Sequence, residues 1–202
     1  MSKTFNFHKK LNNYKSLGLA LSGGIDSALL LYYLLNQGYK VKCYTLVDKD
    51  NDNNIRPAID VMDLIEEKTG KTIENFEFIK YKKDHKRGKR EKMVEVYTNL
   101  FNSGKIDCIL TGATQYLKNV DDKWNQSDKL KPTDTKWMKG DGTYITYRPF
   151  LSHDKSWIKK GCDANALTDD LVKSTISCVR AKSYPCEDCL WCTEKYTVFG
   201  CY

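Results

Sequence analysis

Leu17-Gly18-Leu19-Ala20-Leu21 runs directly into Ser22-Gly23-Gly24-Ile25-Asp26-Ser27, and this junction limits the fold more than any other stretch of the chain. A short apolar run stopped by paired glycines reads as a strand buried on both faces and ended by a tight turn. Asp26 to Gln37 then carries Ala28, Leu29, Leu30, Leu31, Tyr32, Leu34 and Leu35 on nearly all its faces, and Gly38 stands where a helix stops. Strand, glycine turn and helix form one βα unit.

The alternation continues. Tyr39 to Val47 is rich in Val, Tyr and Thr and predicts a second strand, ended by the polar loop 48–54. Ile59, Met62, Leu64 and Ile65 predict a helix from Arg56 to Thr69 with Gly70 as its stop. Phe76 to Tyr81 reads as a third strand, Glu91 to Asn102 as a helix closed by Gly104, and Ile106 to Thr111 as a fourth strand ending at Gly112. Strands separated by helices imply parallel pairing, right-handed crossovers and an α/β fold: an open, mostly parallel, doubly wound sheet with helices on both faces. In such sheets ligands bind beyond the carboxyl ends of the strands, where loops 22–27, 48–54, 82–90 and 112–122 would gather.

Residues 113–145 show no period and carry Trp124 and Trp137, which reads as a substrate lid or an insertion. Ser152 is the expected N-cap of a helix from His153 to Lys160 that Gly161 ends, and a short helix is expected from Asn165 to Lys173. At 202 residues and 41% hydrophobic, the chain buries one α/β core, residues 1–150, with a small C-terminal segment, residues 151–202. No stretch approaches the ~20 apolar residues of a membrane span, and Met1 to Asn6 has no signal-peptide apolar region, so a cytosolic protein is expected.

The net charge of +7 is spread along the chain apart from the cluster Lys80 to Lys92. That cluster reads as a solvated loop or as one that closes over phosphates, with nucleic acid the lesser option.

Chemistry begins at the glycine turn. Ser-Gly-Gly presents backbone N–H groups with no Cβ in the way, and the helix that follows adds its positive N-terminus, so together they cradle an anion. Phosphate is the natural occupant. Ser22 and Ser27 supply hydroxyls, and Asp26 supplies the carboxylate expected when a divalent cation accompanies phosphates. The chain lacks G-x-x-x-x-G-K-[ST] and G-x-G-x-x-G, which argues against a kinase, a GTPase or a Rossmann oxidoreductase.

Eight cysteines in a chain this long do not suggest a disulfide scaffold, because four of them crowd into fifteen residues. Cys178 and Cys186 are separated by seven residues, Cys186 and Cys189 by two, and Cys189 and Cys192 by two. Four thiolates so spaced can ligate one tetrahedral Zn²⁺ in a closed structural site, with an iron–sulfur cluster as the rival. Cys43 and Cys108 fall in strands and read as inert core, while Cys162 and Cys201 are uncommitted. None of His8, His85 and His153 has an evident catalytic partner in the sequence.

The strand, Ser22-Gly23-Gly24-Ile25-Asp26-Ser27 and the helix resemble the pyrophosphate loop of the N-type ATP pyrophosphatase superfamily, which includes tRNA thiolases, NAD synthetases and asparagine synthetases. The resemblance implies cleavage of ATP to AMP and pyrophosphate through an adenylate. Ser22, Gly23, Gly24, Asp26 and Ser27 would hold the β and γ phosphates and Mg²⁺, Asp26 and Ser27 would be catalytic, and adenine would rest near Leu46, Val47 and Gly112. The C-terminal segment narrows the resemblance. Tyr147-Arg148-Pro149-Phe150-Leu151, then Thr175-Ile176-Ser177-Cys178 through Pro185-Cys186-Glu187-Asp188-Cys189-Leu190-Trp191-Cys192 to Phe199, follow the order of elements in 7-cyano-7-deazaguanine synthases. Ile176 stands where that family carries Trp.

This second resemblance implies that 7-carboxy-7-deazaguanine, a small-molecule 7-deazapurine carboxylate, is joined to ammonia by a homodimer using ATP, Mg²⁺ and Zn²⁺, with no membrane partner and nucleic acid only the lesser option. The middle departs from the family. Its Pro-x-Arg-Asn and Tyr-Pro-Asp-Cys-Arg elements are missing, with Thr111 to Gln115 in the second place, as in a divergent, phage-encoded member with an altered substrate. The alternatives are a tRNA thiolation enzyme of the same superfamily, which needs an exposed catalytic cysteine, and a non-enzymatic, zinc-stapled nucleic-acid-binding module.

Overall fold

The computed structural model describes residues 5–49, 52–82, 89–115, 117, 137–140, 144–178 and 185–202. β1 (Leu17–Ala20) is an inner strand, flanked by β2 (Val41–Asp48) and β4 (Cys108–Thr111), and it lies parallel to both. β3 (Asn75–Tyr81) pairs parallel to β2, and β6 (Tyr144–Tyr147) pairs parallel to β4. The order is β3-β2-β1-β4-β6-β5, with β5 (Trp137–Gly140) antiparallel to β6 at the edge. Five strands therefore point one way, and their carboxyl ends share one edge. Strand order reverses between β1 and β4, the switch point at which α/β sheets open a ligand crevice. The mostly parallel doubly wound α/β sheet expected from the sequence is present.

Side-chain alternation along the strands builds the two faces. Leu17, Leu19 and Leu21 point to one face with Val41, Cys43, Cys108 and Leu110, against α1 (Ile25–Asn36) and α2 (Ile55–Thr69). Ala20, Tyr44, Leu46 and Ile109 point to the other, against Tyr97 and Leu100 of α3 (Lys89–Asn102). The first face is thicker because α4 (Lys155–Ala164) and α5 (Thr168–Ser174) add a further layer, contributing Ile158, Cys162, Leu167 and Leu171 to the same apolar cluster. This cluster runs without interruption across residue 150. Gly70, at φ 62°, closes α2 through its N–H to the Glu66 carbonyl, the stop expected there.

Three expectations are corrected. Asp154, not Ser152, caps α4, because its carboxylate accepts the Trp157 N–H at 3.1 Å. Gly161 lies inside α4 and does not end it. A Cβ there would lie 2.9 Å from Leu29 Cδ2 and from Tyr33 Oη, so the missing side chain lets α4 press against α1. Asn165 is the C-cap of α4, and α5 starts only at Thr168. The sequence reading also left β5, β6, a 3-10 helix at Lys9–Asn13 and α6 (Leu190–Phe199) unassigned. Residues 83–88 of the basic cluster, with Lys86 and Arg87, and most of 113–145 lie outside the described residues. Among the described residues no helix is long and apolar enough to cross a membrane.

Candidate functional site at the carboxyl edge

The turn after β1 closes on itself. Ser27 donates its hydroxyl to the Gly24 carbonyl at 2.9 Å and accepts the Ser22 N–H at 3.2 Å, while the Ser22 hydroxyl accepts the Gly24 N–H at 3.3 Å. The two hydroxyls lie 3.1 Å apart. Their positions differ: Ser27 is buried and locks the loop, whereas Ser22 is exposed and faces the edge. Gly23 has φ 77°, which only glycine adopts without strain, and Gly24 is the N-cap of α1 without any side-chain partner. The first N–H groups of α1 and its positive dipole end are therefore left for an incoming anion.

Three more segments reach this turn. Gly112 follows β4, and a Cβ there would lie 2.7 Å from the Asp26 carbonyl carbon and the Ser27 nitrogen, so this position also requires glycine for close approach. Lys155, in the first turn of α4, reaches Asp26, with Nζ 2.5 Å from Oδ2. Its side chain is only 5% exposed, so the charge is held between elements rather than in water. Asp26 Oδ1 is buried without a hydrogen-bond partner. An orphaned carboxylate oxygen beside a phosphate cradle is the donor a hard divalent cation takes, so the residues present fit Mg²⁺. The third segment is Thr175 to Cys178, whose Ile176 donates its N–H to the Gly23 carbonyl at 3.1 Å.

Glu194 of α6 faces the same region. It is 4% exposed, accepts the Leu117 N–H at 3.2 Å, and its carboxyl is held above the usual carboxylate range, first by burial, with Lys155 opposing and Asp26 and Asp154 adding to the rise. Lys195 is 1% exposed and its ammonium is pushed below its ordinary value by burial. It donates to the carbonyls of Thr175 at 2.8 Å and Val172 at 3.2 Å.

Leu46 and Val47 are consecutive in β2 and so take opposite faces: Leu46 packs on the α3 side, and Val47 is buried on the other. The Leu46 carbonyl is already taken by Asn54 Nδ2 at 2.8 Å. Ser22, Gly23, Gly24, Asp26, Ser27 and Gly112 are brought together at the turn; Leu46 and Val47 lie one strand away, nearer their own end of the edge.

The four C-terminal cysteines converge. Sγ of Cys178, Cys186, Cys189 and Cys192 all lie within 4.8 Å of one another, with Cys186 and Cys192 at 4.0 Å. Tetrahedral bonds of ~2.3 Å set sulfurs about 3.8 Å apart, so the donor set fits zinc. Cys189 is the N-cap of α6, whose dipole favours a thiolate. Burial raises the Cys189 and Cys192 thiols, a cost that a cation reverses.

The remaining polar candidates are structural. Cys162 is buried near Asp26 with its thiol pushed up to about 12, mainly by burial, and Cys108 likewise. His153 stacks on Trp157 with ring centroids 4.2 Å apart, and His8 Nδ1 accepts the Lys10 N–H at the start of the 3-10 helix. His85 lies outside the described residues.

Sequence reasoning missed Lys155, Glu194 and Lys195 as parts of this edge. For Lys155 a signal existed: with Ile158, Gly161 and Cys162 it falls on the buried stripe of α4, where a charge needs a partner. Glu194 and Lys195 gave none.

Comparison with known proteins agrees with this architecture. The family described as the tRNA methyl transferase HUP domain matches residues 15–106, which span β1 to α3. The tRNA-specific 2-thiouridylase MnmA of Thermotoga petrophila is 46% identical over 43 residues, and that of Thermotoga maritima 44% over the same length. The matched stretch is 21% of this chain and only 12% of either relative. Among solved structures, NMN synthetase from Francisella tularensis superposes with a TM-score of 0.55 at 14% identity, over 96% of this chain and 81% of that one. At that identity the likeness is one of fold.

Proposed function

We propose that this chain is an ATP-dependent enzyme that adenylates a carboxylate and joins it to ammonia, with 7-carboxy-7-deazaguanine as the first candidate substrate. The observation that carries the reading is the Asp26–Lys155 pair at the glycine turn, its ammonium buried and Asp26 Oδ1 lacking a partner. Opposite charges held beside an anion cradle are what ATP with a divalent cation needs.

A carboxylate is a poor electrophile because oxide must leave. Attack of its oxygen on the α phosphorus of ATP forms the adenylate and expels pyrophosphate; ammonia then adds at the carbonyl carbon and AMP leaves, giving an amide. A second adenylation of the amide oxygen and elimination of AMP leaves a nitrile. The protein contributes by positioning and charge. The N–H groups of the first turn of α1, with the exposed Ser22 hydroxyl, hold phosphate oxygens, and Ser27 keeps the loop shut. Lys155 brings a desolvated positive charge to the departing pyrophosphate. Mg²⁺, when bound, neutralises phosphate charge, and Asp26 would hold it. Zn²⁺ on the cysteines would brace the C-terminal segment.

The test is an ATP-to-AMP assay with 7-carboxy-7-deazaguanine and ammonium, followed by mass spectrometry of the product. A nitrile or amide supports the reading; ATP left intact with this substrate removes the deazaguanine, and no AMP with any carboxylate removes the amidation. The MnmA likeness favours a second reading, thiolation of tRNA. It needs an exposed sulfur carrier. Six of the eight cysteines are buried, with Cys186 inside the metal cluster and Cys201 the remaining one of intermediate exposure. Thiolation therefore predicts that Cys201→Ser abolishes product, whereas amidation predicts no loss.

A further inference from the structure

Helix α6 starts inside the cysteine cluster and leads directly to the edge that carries the glycine turn. Cys189 caps it, Cys192 lies in its first turn, and Glu194 and Lys195 follow, both buried. A buried ammonium is expensive, so one that only filled space would be replaced by hydrocarbon without loss. Lys195 instead donates to the carbonyls of Val172 and Thr175, at the end of α5. The next residue, Ile176, donates to Gly23, and two residues further Cys178 returns to the cluster. Metal ligands, α6, Lys195 and the 175–178 strap thus form a closed circuit resting on the turn. Glu194 adds a second hold through the Leu117 N–H, five residues after the Gly112 that packs on the turn.

We propose that Glu194 and Lys195 are positioning residues through which the metal-loaded cysteine site fixes the geometry of the ATP-binding turn, so that metal and nucleotide reinforce each other's binding. The inference rests on the reading of the turn as an ATP site. Coupling between two sites is reciprocal, so nucleotide must slow release of the metal by the same factor by which metal tightens nucleotide, if the effect lies in the off-rates.

The test uses the zinc-loaded full chain mixed with excess colorimetric chelator, with and without magnesium and a non-hydrolysable ATP analogue. In the unmodified protein the analogue is expected to slow zinc release roughly tenfold, within the usual range of coupling between sites. Lys195→Met and Glu194→Gln are expected to keep a full complement of zinc, to weaken analogue binding and to make release indifferent to nucleotide. Lys195→Arg retains N–H donors and is expected to restore the dependence. If Lys195→Met does not fold, Glu194→Gln and Lys195→Arg decide the matter. Release that ignores an analogue shown by calorimetry to bind overturns the inference while leaving the ATP site standing, as do variants that melt earlier yet keep the full nucleotide effect. Failure of the analogue to bind the unmodified protein overturns the ATP reading itself and the coupling with it.

Discussion

The glycine turn, read as an anion cradle, and the cysteine cluster, whose donors fit zinc, are built with opposite use of the chain. Six consecutive residues, Ser22 to Ser27, make the turn, and the hydrogen bonds among them span at most five positions. The cluster draws Cys178 from one segment and Cys186, Cys189 and Cys192 from another. A site made by local backbone geometry brings its groups together without a ligand; one made by converging buried thiols keeps their protons until a cation displaces them. The turn therefore closes locally and is steadied by the strap laid on it, and the cluster is folded in part by its ligand.

The sharpest way to break this contrast is Asp26→Ala. AMP formation is expected to fall at least about a hundredfold, the scale of lost electrostatic stabilisation at a reacting centre, while zinc content and folding persist. Loss of zinc in that variant, measured by atomic absorption, would show that the turn is not independent of the cluster's fold. Cys189→Ser should act in the other direction. Zinc is expected to be lost and the Tm to drop by roughly 5–10 °C, the shift for ~2–3 kcal/mol in a chain of this size. Acid should mimic it: the thiols must lose protons to bind metal and burial already raises Cys189 and Cys192, so zinc affinity falls as pH is lowered.

Two glycines separate packing from site. Gly112→Ala drives a Cβ into the backbone of Asp26 and Ser27, and is expected to cost ~1–3 kcal/mol and to raise the KM for ATP. Gly161→Ala meets only the side chains of Leu29 and Tyr33, so a similar or smaller cost should leave turnover per folded molecule unchanged. The smallest effect is reserved for Lys68→Ala, which removes the ion pair to Asp170 between α2 and α5. Lys68 holds Asp170 below the usual carboxylate range, so its contribution is present above that range and is lost as pH falls through the lowered value. Both groups meet solvent, and high salt should erase the difference in Tm.

Legibility followed the same divide. The β1 turn, α1 and α2 were readable because apolar period, cap and glycine all sit next to one another in sequence. β6 was not, since it is four residues long and its pairing of Ile109 with Thr146 is decided by a partner far away in the chain. α6 escaped notice because its buried residues, Leu190, Cys192, Glu194 and Lys195, include two charges and form no apolar stripe. Asp26 announced itself within its motif. Its partner Lys155, 129 residues later, became meaningful only once α4 was laid across α1.

The bond from Ile176 to Gly23 also has a meaning in time. A ribosome delivers β1, the turn and α1 first, and these can begin to form with β2 and β4 as they emerge. The strap, Lys155 and α6 follow much later, Lys155 itself 129 residues after Asp26. A nascent chain thus carries the turn long before the parts that steady it, and the turn gains its strap only after more than a hundred further residues have been added.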